Sequence, residues 1–139
     1  MNSSNVLLEA EKQMYAKTLK ILKTLKELKS HKQDPKVDAC IKQIEEETEI
    51  AKLKCLMVKG FINQDLESFE KYYQTVVDYM HNKIDELMFC DKKIFVDFNE
   101  GTVGNVNSNS VKKNCDMFKN QMEYYEKMYK GLKVISNAR

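Results

Sequence analysis

Apolar residues recur along most of this chain at steps of three and four, the period of an amphipathic helix. The pattern is most sharply bounded between Asp34 and Gly60. There Val37, Ile41, Ile44, Thr48, Ala51, Cys55 and Val58 share one face, and six of the seven are apolar. Asp34 can accept hydrogen bonds from the first free backbone N–H groups, and Pro35 suits the first helical position, where its missing N–H costs nothing. Gly60 is expected to end the helix in the left-handed conformation, which gives a helix over about residues 35–59. Ile50, Leu53 and Met57 lie on the side opposite the main stripe, so from Ile50 to Val58 this helix is apolar nearly all round. A helix of that kind requires cover on every side.

Three further helices are predicted. The first spans about residues 5–31, with Leu7, Met14, Ile21 and Leu28 repeating every seven residues and Leu8, Tyr15, Leu22 and Leu25 forming a second row. Together they make a face wide enough for two neighbouring helices. Glu11 and Thr18 fall within it. Thr18 is expected to bond back to its own helix, and Glu11 to sit near an open end. Another helix, over about residues 64–90 with Asn63 or Asp65 as its cap, carries Leu66, Phe69, Tyr73, Val76, Met80, Ile84 and Leu87 on one face. The last, over about residues 110–136 with Ser110 as its cap, carries Val111, Cys115, Phe118, Met122, Tyr125, Tyr129 and Leu132. Beside that stripe runs a second row of Met117, Gln121, Tyr124, Met128, Gly131 and Ile135, about a third of a turn away. The links at residues 30–33 and 60–63 are short, so consecutive helices should be antiparallel.

Residues 91–109 break the period. Ile94 to Phe98 alternates enough for a short extended arm, with Ile94, Phe95 and Phe98 as anchors, and the Asn-, Ser- and Gly-rich remainder reads as a loop. The expected fold is therefore all-α: a single domain, an antiparallel four-helix bundle with one long irregular connection between the third and fourth helices.

Composition sharpens this picture in three places. First, one Pro and four Gly in 139 residues argue for a few long helices. Second, Arg139 is the only arginine, which removes the usual bidentate reader of guanine and argues against sequence-specific nucleic-acid binding. Third, Cys40, Cys55, Cys90 and Cys115 have neither zinc-knuckle nor redox-pair spacing, and Cys55 and Cys115 fall on apolar helix faces. A reducing interior, cytoplasmic or nuclear, is the expected setting. The N-terminal stretch does not read as a secretory signal, and no apolar run approaches the roughly 18 residues of a membrane span. Charge is unevenly spread. The first helix with its link carries seven Lys, and three Glu oppose them, while residues 65–86 hold six acidic residues against two Lys, and the last helix is net positive by about three.

Candidate chemistry is sparse. Asp78, His81 and Asp85 share a helix face, but a bundle di-iron site needs two Glu-x-x-His units on different helices. This chain has only His31 and His81, and neither follows a Glu at the required spacing. The run Glu45-Glu46-Glu47-Thr48-Glu49 reads as a solvated face with Lys42, Lys52 and Lys54 close enough to pair. Gly101 and Gly104 lack the Lys-Ser/Thr of a phosphate loop. No metal, cofactor or catalytic residue is expected.

The functional expectation is a protein-interaction module: an adaptor, complex subunit or regulatory binder. Its contact residues are Met117, Tyr124, Met128 and Ile135 of the second stripe, joined by Ile50, Leu53 and Met57 at the all-round apolar end of the second helix. The partner would be another protein or a second copy in a homodimer, packed in the manner of a coiled coil, without membrane contact. The alternative is a carrier of a small apolar ligand or lipid held between the helices, with residues 91–109 as a lid.

Overall fold

The computed structural model describes residues 3–89, 94–97, 102–105 and 108–138. It is an all-α bundle of four long helices: α1 (Ser3–His31), α2 (Pro35–Ile62), α3 (Leu66–Phe89) and α4 (Ser108–Asn137). Each boundary lies within a few residues of the one the periodicity predicts. Asp34 caps α2 as expected, accepting the Lys36 N–H at 2.9 Å, with Pro35 in the first turn. Asp65 does the same for α3 and takes both the Ser68 N–H at 3.1 Å and the Ser68 hydroxyl at 2.7 Å. Those hydrogen bonds hold the Asp65 carboxyl below its usual pKa.

Two ends differ from expectation. Ser110 is not a cap, because α4 already begins at Ser108. Gly60 does not end α2, which runs on to Ile62 and is capped by Asn63, while Gln64 takes the positive φ of 53°. Gly60 is there for closeness. A Cβ at this position would stand 3.0 Å from the backbone N of Phe69, so the absence of a side chain lets the start of α3 lie against the end of α2.

The core centres on Met57, Val58, Phe69, Val76, Met80, Tyr125 and Leu132, none of which exposes more than 1% of its surface. All seven stripe positions of α3, and all seven of α4, are buried in this cluster or packed on it. Between α3 and α4 the packing is aromatic. Tyr129 meets the Tyr73 ring at 4.6 Å and the Phe69 ring at 5.7 Å, and its hydroxyl donates to Glu70 at 2.8 Å. Of the seven stripe residues of α2, only Thr48 is less than fully buried, and it bonds back to the Ile44 carbonyl at 2.7 Å. Thr18 likewise donates to the Tyr15 carbonyl at 2.7 Å.

The connection between α3 and α4 is more regular than its composition suggests. β1 (Ile94–Asp97) pairs antiparallel with β2 (Thr102–Asn105), in a register that sets Val96 opposite Val103. β1 matches the expected arm. β2 lies where a loop was expected; its Gly and Asn have little strand preference, so it owes its form to backbone pairing with β1. β1 runs against α2, so the hairpin lies along the bundle. Phe98, Cys90, and the side chains of Ile94 and Phe95, lie outside what is described.

The helices do not close into a ring. α1 packs on α2, α2 on α3 and α3 on α4, with a sparser approach of α4 to α2. Among the described residues no Cα of α1 comes within 8 Å of one in α4. Packed helices run about 8–10 Å apart axis to axis, so the fourth seam is wider than the other three.

The two helical glycines should respond in opposite ways. Gly60→Val forces a side chain against the α3 backbone and should cost about 1–3 kcal/mol. At Gly131 an added Cβ meets nothing within 4 Å, so Gly131→Ala should gain about 0.5–1 kcal/mol through helix propensity. Urea denaturation of both variants checks the pair of signs.

Candidate functional site

Two features stand out once the helices are in place. One is a layer of polar side chains across the middle of the bundle, and the other is the open seam above it.

The polar layer joins all four helices. The Tyr125 hydroxyl of α4 donates to Glu11 of α1 at 2.6 Å. The Lys54 ammonium of α2 donates to Gln121 of α4 at 2.9 Å. Further along α2, Glu47 accepts from the Tyr79 hydroxyl of α3. Lys83 of α3 lies 3.5 Å from Glu46 and 3.1 Å from Glu86, with its ammonium 5.5 Å from the centre of the Tyr79 ring. Every fully buried side-chain polar atom among the described residues has a partner.

Burial sets the electrostatics of this layer. It lowers the Lys54 pKa, and Glu11 and Glu47 pull part of the charge back. It raises the Glu47 carboxyl above the usual range, against the Tyr79 hydrogen bond and the Lys54 and Lys83 charges. Tyr79 and Tyr125 are pushed well up by burial and by the carboxylates they face, so each stays a protonated donor. The thiols of Cys40, Cys55 and Cys115 are free, buried and raised by desolvation, the opposite of an activated thiolate.

This layer corrects two expectations. Glu11 does not sit at an open end; it ties α1 to α4. The Glu45–Glu49 run is not simply a solvated face, because Glu46 and Glu47 reach α3, and Lys54 donates to Gln121 of α4 with the Glu47 charge of its own helix nearby. The signal was present in the sequence. Lys54 interrupts the segment from Ile50 to Val58 that needs cover on every side, so it must find polar partners on other helices. Gln121 is the polar residue within the second row of α4.

The seven residues expected to bind a partner separate into three groups. Ile50, Met57 and Met128 are interior, and in the folded chain they are out of reach. Their apolar rows extend the core instead of forming a second surface, because α2 is the central helix and is covered on several sides. Leu53 and Met117 are partly buried against the core. Tyr124 and Ile135 remain outside, 45% and 38% exposed. They share one side of α4 with Met117 at spacings of seven and eleven.

That side of α4 is turned toward α1. Tyr125, one residue on from Tyr124, bonds to Glu11, and the two tyrosine rings meet edge to face at 6.4 Å. On α1, the side that carries Leu8 and Tyr15 continues to Leu19 and Leu22. Leu19 is 45% exposed, although it follows neither apolar row of the helix. With Leu22, Lys23, Lys26, Glu27 and Ser30 it lines a shallow groove of about 480 Å³. From the Glu11–Tyr125 tie, Leu19 and Met117 are each eight residues away on antiparallel helices. At 1.5 Å per residue both stand about 12 Å along the bundle from the tie.

This groove and a polar one at Asp65, Glu67, Ser68, Glu70 and Lys71 are both open to solvent. Among the described residues no group of three His, Cys, Asp or Glu could hold a metal ion, and no helix is long and apolar enough to cross a membrane. His81 is exposed, and Asp78 accepts from Gln74 at 2.8 Å instead. Comparison with known proteins found no match to any family model, curated protein or solved structure.

Two measurements probe the polar layer. Tyr125→Phe leaves Glu11 without its donor and should cost about 1.5–3 kcal/mol, as for hydrogen bonds to charged groups. The double variant with Glu11→Gln should show a coupling of at least ~0.5 kcal/mol in a thermodynamic cycle. The second concerns pH. An acid whose folded pKa is raised contributes stability that is full below its ordinary value, 4.5 for Glu47, and lost as pH rises through the folded value. Wild type should therefore lose stability relative to Glu47→Gln from about pH 4.5 toward neutrality. Urea titrations of both proteins across that range give the difference directly.

Proposed function

We propose that this chain is a protein-interaction module whose contact surface is the seam between α1 and α4. The observation that carries this reading is the absence of close backbone approach between those helices among the described residues, with Tyr124 and Ile135 left exposed on the side of α4 turned toward α1. A bundle that needed this face only for its own core would close it. Large apolar side chains held on a rigid, partly open groove suit helix-in-groove recognition. Tyr and Met are well fitted to the task, since Tyr pairs a large apolar face with a polar tip and Met adapts its shape. The polar layer supports the same reading, because the Tyr125 hydroxyl donating to Glu11 ties the two walls to each other. Free, buried thiols fit a reducing compartment, so the proposed setting is intracellular.

Compared with the surface inferred from the sequence, the proposed one keeps Tyr124, Ile135 and the accessible part of Met117. A photo-crosslinking amino acid placed at Tyr124 or at Ile135 should give discrete adducts in the cell of origin. The same group at Glu45, exposed on α2, should not. Adducts that are equally abundant at all three positions, or missing at both seam positions, would remove the basis of the proposal.

A further inference from the structure

The interior is divided unequally among the helices. The buried cluster at the centre is drawn from α2, α3 and α4 alone, and α1 adds only Leu7 and Leu8, packed partly against it. Among the described residues no Cα of α1 comes within 8 Å of one in α3, α4 or the hairpin. α1 packs on α2, which holds a second set of buried residues outside the central cluster, among them Val37, Ile41, Ile44, Ala51 and Cys55 on one face. The charges of Glu11 and Lys12 of α1 both reach the Cys55 thiol, which places Cys55 under α1. This cover is one-sided. Met14 and Ile21 on one flank of α1, and Tyr15 and Leu22 on the other, are only half-buried. Each flank also carries an exposed leucine, Leu28 at 47% and Leu19 at 45%.

We infer that α1 is a displaceable cover: it lifts from α2 as a unit while α2, α3 and α4 keep their packing, and the open form bares the α2 face around Cys55. This stands apart from the seam as a contact surface and does not depend on it. The link between α1 and α2 permits the movement. Asp34 is extended, with φ −138° and ψ 122°, and it caps α2 through bonds to the backbone N–H groups of Lys36, Val37 and Asp38. α2 therefore keeps its start when α1 leaves. Two polar ties fasten α1 along its length, the Tyr125 hydroxyl to Glu11 at 2.6 Å near one end and the Lys29–Asp38 pair at 2.9 Å near the other. The Lys29–Asp38 pair is more than half exposed on both sides, so salt and water weaken it. On release, water takes the place of each partner, and no polar group of these ties is stranded in an apolar interior. The core left behind is the aromatic and aliphatic packing of Phe69, Val76, Met80, Tyr125 and Leu132, which α1 does not enter.

Two free, buried thiols report on the two parts of the interior, Cys55 under α1 and Cys115 in the central cluster. The purified chain is treated with iodoacetamide at constant pH without denaturant, and peptide mass spectrometry follows each thiol separately. Cys55 should be alkylated roughly tenfold faster than Cys115 or more, because opening of α1 exposes the first and only opening of the core exposes the second. Leu25→Ala, at a half-buried position of α1, should speed Cys55 by about fivefold or more through lost packing. Leu25 lies fourteen residues along α1 from Glu11, about 21 Å away, so an effect there requires the helix to move as a unit. Glu123→Gly, at an exposed position of α4, weakens the core through helix propensity. It should speed Cys115 by roughly threefold and leave Cys55 unchanged. Equal rates at the two thiols, both raised by Glu123→Gly, would mean that four helices open as one and would overturn the inference. A fast Cys55 that ignores Leu25→Ala would overturn it too, since its exposure would then come from breathing at the thiol and not from release of α1.

Discussion

The architecture depends on one requirement: α2 is apolar around most of its circumference between Ile50 and Val58 and must be covered on all sides. Burial of that surface is worth on the order of 25 cal/mol per Å², and no single neighbour can supply it. α1, α3, α4 and β1 all reach α2, and the helices of the bundle are neighbours largely because each is a neighbour of α2. The cost is the charge placed in the middle. Lys54 lies inside the segment to be covered, and a buried ammonium without partners is expensive. Gln121, Glu11 and Glu47 meet it from other helices or from the previous turns of its own.

The polar layer and the apolar core therefore divide the work. Apolar packing gathers the helices but is tolerant of small rotations and slides. Directional bonds, Tyr125 to Glu11 and Tyr79 to Glu47, select one arrangement among those the core would accept. They also explain why α1 can be held at a distance from α4. Leu7 and Leu8 pack on the core at one end, and the Glu11–Tyr125 bond follows a turn later.

The fold class was readable because long stretches with a clean 3.6-residue period leave little freedom, and because Asp34, Pro35 and Asp65 mark helix starts with unmistakable chemistry. What escaped was anything decided by three-dimensional approach. Gly60 looks like a helix stop because glycine serves that purpose often; nothing in one dimension shows Phe69 coming to within 3.0 Å of its missing Cβ. β2 was hidden because its strand character lies in its pairing. The candidate surface was half legible. Periodicity found a second row on α4, but a row of apolar residues reads the same whether another helix covers it, as at Met128, or solvent does, as at Tyr124. Glu11 was noticed as an anomaly on an apolar face, yet its partner lies 114 positions away.

The attachment of α1 has a thermodynamic consequence. Its backbone packs on a single neighbour, and of its residues with described side chains only Ser4 and Thr18 are fully buried. A segment held by one neighbour opens more readily than a core helix packed on several. The helix propensity of exposed positions such as Ala10 and Ala16 therefore bears directly on how firmly α1 stays in place.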